Sequence, residues 1–95
     1  MFKIENRSDG RHAILRLSGR IESEHLEELK AQIESARRHH IVLDLEELKL
    51  VDRAVVRFFG LCESNGIEVR HCAPYIREWI FREKVRDGDG AGPWI

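Results

Sequence analysis

The chain has 95 residues, of which 42% are hydrophobic and 35% charged, and its formal net charge is −1. This length suits a single domain with one modest core, and the near-neutral charge supplies no basic footprint for nucleic acid. No apolar stretch predicts a membrane-spanning helix, and the first residues lack the apolar segment of a secretory signal, so we expect a cytoplasmic protein without membrane insertion.

The first part of the chain predicts two strands joined by a tight turn. Residues 2–5 alternate apolar and charged side chains, which is typical of a strand with one solvated face. Asp9 and Gly10 suit a hairpin turn, and residues 12–17 form the second predicted strand. The sequence Ser-Gly-Arg at 18–20 is expected to end that strand.

A helix is predicted next, with Ser23 as its N-cap. Glutamates follow Ser23 directly and arginines lie near the expected end, an arrangement that complements the helix dipole. The apolar positions recur every three or four residues, which gives one stripe for packing on a sheet. They are Leu26, Leu29, Ile33 and Ala36.

The centre of the chain predicts a buried strand, a short polar connection and the start of a second helix. Residues 41–45 are almost continuously apolar, the pattern of an interior strand that is buried on both faces. The carboxylate of Asp52 is expected to accept free N–H groups in the first helical turn. The helix that follows places Val55, Phe58 and Phe59 at helical spacing.

The last part predicts a strand over residues 67–71 and a third helix that begins near Pro74. Residues 87–95 are rich in glycine and are predicted to be a flexible C-terminal tail. The order β-β-α-β-α-β-α over residues 1–86 therefore predicts a single α/β domain. Its mixed sheet should have about four strands, with about three helices.

Several motifs together resemble the STAS domain family, which includes the anti-sigma-factor antagonists of bacterial partner-switching systems. Residues 43–45 with 48 and 50–52 resemble the core signature of the family, and residues 17–22 resemble its Leu-x-Gly-x-Ile/Leu-Asp turn. Residues 66–69 and 74–78 resemble its last strand and helix. The resemblance runs from about residue 14 to residue 81. It implies a STAS-like sheet covered by helices mainly on one face.

The chain departs from the family where the regulatory serine usually stands. The typical family motif is Asp-Ser-Ser-Gly-Leu, and a partner kinase phosphorylates its second serine. Here the same positions read Asp52-Arg53-Ala54-Val55-Val56. Ala54 has no hydroxyl group, so the phosphoacceptor is absent from the family position, and Arg53 places a long cation beside it.

The resemblance implies a non-enzymatic module that binds another protein and regulates bacterial signalling and transcription. The expected partner is an anti-sigma factor with serine-kinase activity or another component of a signalling complex, and a homodimer is left open. The predicted partner-binding residues are Glu22, Asp52, Arg53, Ala54, Val55 and Arg57. For several of them a structural role is an alternative. Asp52 is also a helix cap, Glu22 a helix-start charge, and the two arginines ordinary surface charges.

Two other functions remain as alternatives. The alternative within the family is the STAS subunit of an ABC-type lipid transport system. The alternative outside the family is a small enzyme that uses Cys62 or Cys72. A metal site built from these cysteines and His71 is disfavoured, because adjacent strand residues point to opposite faces. Phosphate-loop, metalloprotease and hydrolase motifs are missing from the sequence. We therefore expect no catalytic residue, no metal site and no cofactor.

Overall fold

The computed structural model describes residues 2–86, so the predicted tail at 87–95 lies outside the described residues. The strands form one sheet in the order β1-β2-β3-β4. This confirms the predicted mixed α/β fold with four strands and three helices. The elements in chain order are β1 (Phe2–Ser8), β2 (His12–Ile21), a 3-10 turn (Ser23–His25), α1 (Leu26–Ser35), β3 (His40–Val51), α2 (Arg53–Ser64), β4 (Glu68–Arg70) and α3 (Pro74–Arg86).

The sheet is mixed because the first two strands form a hairpin and the later ones are joined through helices. β1 pairs with β2 antiparallel, whereas β2 with β3 and β3 with β4 are parallel. The hairpin turn is held by Asp9, whose Oδ1 accepts the backbone N–H of His12 at 2.8 Å. Gly10 takes a φ of 91°, a conformation that side chains disfavour. The Asp-Gly signal therefore predicted this turn correctly.

The core lies between the helices and one face of the sheet. Ile41, Leu43 and Leu45 of β3 belong to one hydrophobic cluster with the buried residues of all three helices. Six apolar residues along the chain are each no more than 8% exposed. These residues are Leu17, Leu29, Val42, Leu43, Phe58 and Ile67. Of the predicted stripe on α1, Leu29, Ile33 and Ala36 are buried, whereas Leu26 is half-buried.

The other face of the sheet is mostly polar. Val42 is fully buried there but does not belong to the helix-side cluster. Its neighbours on the adjacent strands are Ile14 and Glu68. Charged and imidazole side chains from the neighbouring strands occupy the rest of this polar face. The prediction that β3 is buried on both faces is therefore right, although the core residues of the helices gather on one face only.

Two strands are longer than predicted. β2 does not end at Leu17 but continues to Ile21, and β3 does not end at Leu45 but continues to Val51. The two extensions pair with each other, with register shifts on either side of the Ser18–Gly19 step. Gly19 has a φ of 86°, which fits this irregularity. The sequence predicts connections after Leu17 and after Leu45, but the backbone groups in these two segments pair with the neighbouring strand.

Within residues 2–86, no helix combines the length and the apolar character that crossing a bilayer requires.

Candidate functional site

Asp52 joins two loops near the ends of β2 and β3. Its Oδ1 accepts the backbone N–H of Val55 at 3.0 Å, so Asp52 is the N-cap of α2, as predicted. Its Oδ2 accepts the backbone N–H of Ser23 at 2.8 Å. One carboxylate therefore satisfies a free donor in the first turn of α2 and holds the loop after β2 against that turn.

Glu22 lies in that loop, directly before Ser23, and is half-buried. Its backbone N–H donates to Nδ1 of His25 at 3.0 Å, and Glu22 is the N-cap of the 3-10 turn. The predicted N-cap at Ser23 is therefore wrong. Glu22 caps only the 3-10 turn, whereas α1 begins at Leu26 with His25 at its N-cap position. The structure brings Glu22 next to the start of α2, where it has a structural role in the loop.

Two arginines of α2 converge on one buried carboxylate of α3. Arg53 donates from Nε to Oε1 of Glu83 at 3.2 Å, and Nε of Arg57 lies 3.8 Å from the same oxygen. The Glu83 side chain is only 8% exposed, whereas those of Arg53 and Arg57 are 52% and 47% exposed. The Glu83 carboxylate therefore partly neutralises Arg53 and Arg57 and restrains their guanidinium groups at the surface.

Sequence reasoning missed Glu83, although a signal was present. Ile76 and Ile80 are buried on the inner face of α3, and position 83 is the next position on that face at helical spacing. A charged residue on an apolar stripe needs a partner of opposite charge. The identity of the partner could not be read from sequence, because Arg53 is 30 positions away.

The remaining two predicted site residues have opposite environments. Ala54 is exposed and lies between the two arginines in the sequence. Val55 is fully buried in the core cluster. The Val55 side chain therefore packs in the core at the first turn of α2 and is not accessible to a partner.

The cysteines do not have the properties of activated nucleophiles. Cys62 is buried, and burial, with a smaller contribution from the Glu63 carboxylate, raises the pKa of its thiol to about 12. Burial also raises the pKa of the half-buried Cys72 thiol. A reactive thiol needs the opposite shift, because the thiolate is the nucleophile.

A second polar cluster lies on the polar face of the sheet. The last strand is predicted over residues 67–71, but β4 spans only Glu68–Arg70, and His71 beyond it takes a φ of 57°. Nδ1 of His71 lies 3.0 Å from Oδ1 of Asp44, in β3. Together with Glu46, these side chains are the group in residues 2–86 whose ligand atoms could hold a metal ion.

Comparison with known proteins identifies the family of the fold. The family model described as "Mlab, STAS domain" matches residues 4–77. No curated protein sequence gives a significant match. Among solved structures, the chain is similar to the anti-sigma factor antagonist SpoIIAA in its unphosphorylated form. The TM-score is 0.58 at 21% sequence identity, and the alignment covers 99% of this chain and 86% of that chain. At this identity, the likeness concerns the fold.

Proposed function

Because the chain belongs to the STAS domain family, we propose that it is a non-enzymatic regulator that binds another protein in the bacterial cytoplasm. Its action would resemble that of an anti-sigma-factor antagonist. The binding surface is formed by the start of α2 and the loop that faces it. We call this the α2-start surface, and it consists of Glu22, Asp52, Arg53, Ala54 and Arg57.

The double hydrogen bond of Asp52 is the observation that carries this proposal. It joins the loop after β2 to the first turn of α2 through contacts of 2.8 and 3.0 Å. Glu83 restrains Arg53 from the other side. A surface that is already ordered loses little conformational entropy when a partner binds, which favours recognition by shape and charge.

The same surface lacks the family's regulatory chemistry. A phosphate would add roughly −1.5 to −2 charges at pH 7 at the positive end of α2. Ala54 has no group that can carry one. We therefore propose that binding through this surface is constitutive or is regulated elsewhere in the system.

The test is affinity capture of the tagged full chain from its native cell, followed by mass spectrometry. The diagnostic variant is Ala54→Glu, which places a negative charge in the centre of the α2-start surface. An acidic residue is favourable in the first turn of a helix, so this variant should fold normally. We expect it to recover much less partner than the wild type.

The matched control is Ala31→Glu, which makes the same substitution at an exposed position of α1. It should capture the partner at the wild-type level. Equal capture by the wild type and Ala54→Glu would contradict the proposed surface. No protein enriched by the wild type over an unrelated bait would contradict the interaction function itself.

A second candidate is the STAS subunit of an ABC-type lipid transport system. The matching family model supports this candidate, because its description names Mlab and does not mention an anti-sigma-factor antagonist. The same capture experiment separates the two candidates by the identity of the partner. A serine kinase supports the first candidate, and a transporter ATPase supports the second.

A further inference from the structure

Three side chains on the polar face of the sheet point their ligand atoms at one place. Asp44 and Glu46 lie in β3, and His71 follows β4. Nδ1 of His71 is 3.0 Å from Oδ1 of Asp44 and 4.0 Å from Oε1 of Glu46. All three ligand atoms lie within 4.8 Å of one another. This group lies on the polar face of the sheet and does not depend on the function proposed for the α2-start surface.

The distances suit a shared ion. Ligand atoms bound to the same Zn²⁺ at about 2.0–2.2 Å lie roughly 2.9–3.5 Å apart at tetrahedral to right angles. The 3.0 Å separation between His71 and Asp44 falls within this range. Glu46 must move inward by about 0.5 Å or more to meet the same geometry. Its side chain is 57% exposed, so it has room to do so.

Asp44 is an unusual residue on this face because it is a buried carboxylate, only 7% exposed. Its Oδ1 accepts the Glu46 backbone N–H at 3.0 Å, which fixes the orientation of the carboxylate. The same oxygen lies 3.0 Å from Nδ1 of His71, so a bound ion would replace the hydrogen bond between these two side chains.

Arg16 is the group that competes with a cation for this place. Its Nε lies 3.9 Å from Asp44 Oδ2, and its terminal nitrogen lies 3.9 Å from Glu46 Oε1. Both distances exceed those of hydrogen bonds. The arginine therefore contributes weak attraction to the two carboxylates, and a metal ion with direct bonds to them can displace it.

We infer that Asp44, Glu46 and His71 form a binding site for a divalent transition-metal ion, with Zn²⁺ as the representative ion. One imidazole and two carboxylates favour such ions over Mg²⁺ or Ca²⁺, which prefer oxygen ligands alone. Three protein ligands leave a coordination position open to water or to a group from a partner. The bound ion would fix the segment after β4 to β3.

No local spacing in the sequence indicates this site. Asp44 lies 27 positions before His71, and parallel pairing of β3 with β4 brings them together.

The test uses the full chain, freed of metal with a chelator and titrated with Zn²⁺ by calorimetry. We expect one Zn²⁺ per chain, a higher melting temperature with Zn²⁺, and no displacement by excess Mg²⁺. His71→Asn and Glu46→Gln should each weaken binding by at least about tenfold, since even outer-shell groups contribute this much. Asn tolerates the left-handed backbone at position 71, so the fold should survive. Arg16→Gln should bind Zn²⁺ more tightly.

The matched control is His40→Ala, which removes an exposed histidine on the same face but outside the cluster. It should leave the affinity unchanged. The inference is overturned if the wild type takes up no Zn²⁺. It is equally overturned if His71→Asn and Glu46→Gln both keep the wild-type affinity, or if His40→Ala loses as much as they do.

Discussion

The guanidinium of Arg53 donates to the Glu83 carboxylate at 3.2 Å, which links the first residue of α2 to the last turns of α3. Arg57 contacts the same carboxylate oxygen from the next turn of α2. Glu83 is buried, whereas both arginines reach solvent. Loss of the arginines would leave a buried carboxylate without these two cations, whereas loss of the carboxylate would leave cations that water can solvate. Removal of the two arginines should therefore be strongly non-additive.

We predict that Arg53→Ala alone lowers the free energy of unfolding by about 1 kcal/mol or less, since a half-exposed ion pair is worth little. The double variant Arg53→Ala/Arg57→Ala should lose about 2–3 kcal/mol, because Glu83 is then a buried charge without these partners. Urea denaturation provides the measurement. Adding Glu83→Gln to the double variant should recover stability, and further loss would contradict the account.

Asp52→Ala should lower the free energy of unfolding by about 1–2 kcal/mol, because it removes the N-cap of α2. It also removes the bond to Ser23, so hydrogen exchange at the Ser23 amide should accelerate. Asp52→Asn is the matched control. Its single side-chain oxygen can keep only one of the two bonds, so its loss should be smaller. Unchanged exchange at Ser23 in the alanine variant would show that the loop is held by other contacts.

Val42→Asp should be among the most destabilising single substitutions, at about 3 kcal/mol or more. Val42 is fully buried although it lies on the polar face, so the new carboxylate would lose its hydration. Val42→Thr, which has nearly the same shape, should cost clearly less. A urea midpoint for Val42→Asp close to that of the wild type would mean that this face is open to water at Val42.

The two thiols should resist alkylation in the native chain at pH 8. The pKa of Cys62 is raised to about 12, so only about one thiol in ten thousand is ionised at that pH. The pKa of Cys72 is also raised, although its partial exposure should make it the faster of the two. Intact-mass analysis after iodoacetamide treatment provides the readout, with the guanidinium-unfolded chain as the reactive control. Rapid labelling of either cysteine in the native chain would revive the thiol-enzyme alternative.

Incubation with ATP and the serine kinase found by affinity capture should add no phosphate to the wild type. Ala54→Ser should become an acceptor. It is a better control than restoring the full family motif, because position 54 is exposed whereas Val55 is buried. Stoichiometric phosphorylation of the wild type on Ser18, Ser23 or Ser64 would show that the switch has moved. Ser23 would be informative in that case, since its backbone already contacts Asp52.

The local patterns predicted the elements but not all of their limits. Alternation, the Asp-Gly turn and the spacing of apolar residues were sufficient for the hairpin, the helices and the interior strand. The strand extensions are not apparent from the sequence because charged residues at 46, 47 and 49 and the Ser18–Gly19 pair interrupt the apolar pattern. What keeps them in strands is their pairing with each other, and this is a property of the fold.

In the candidate site, only the contacts between residues close together in sequence could be predicted. The capping role of Asp52 follows from its place before a helix, since the donor it satisfies is only three residues away. The contacts of Asp52 with Ser23 and of Arg53 with Glu83 span 29 and 30 positions. Such contacts depend on how α2 packs against the rest of the chain, and no local pattern encodes them.

The difference in length between β3 and β4 has a consequence for self-association. Within residues 2–86, β4 pairs with β3 only over Val42–Asp44, so the part of β3 from Leu45 to Val51 is an edge strand on that side. Such an edge is a template for intermolecular strand pairing and aggregation. Here the Tyr75 hydroxyl donates to the Lys49 carbonyl at 2.8 Å, and exposed charges at 46, 47 and 49 oppose a second strand. Tyr75→Phe should therefore leave the fold intact but make the chain more prone to aggregate.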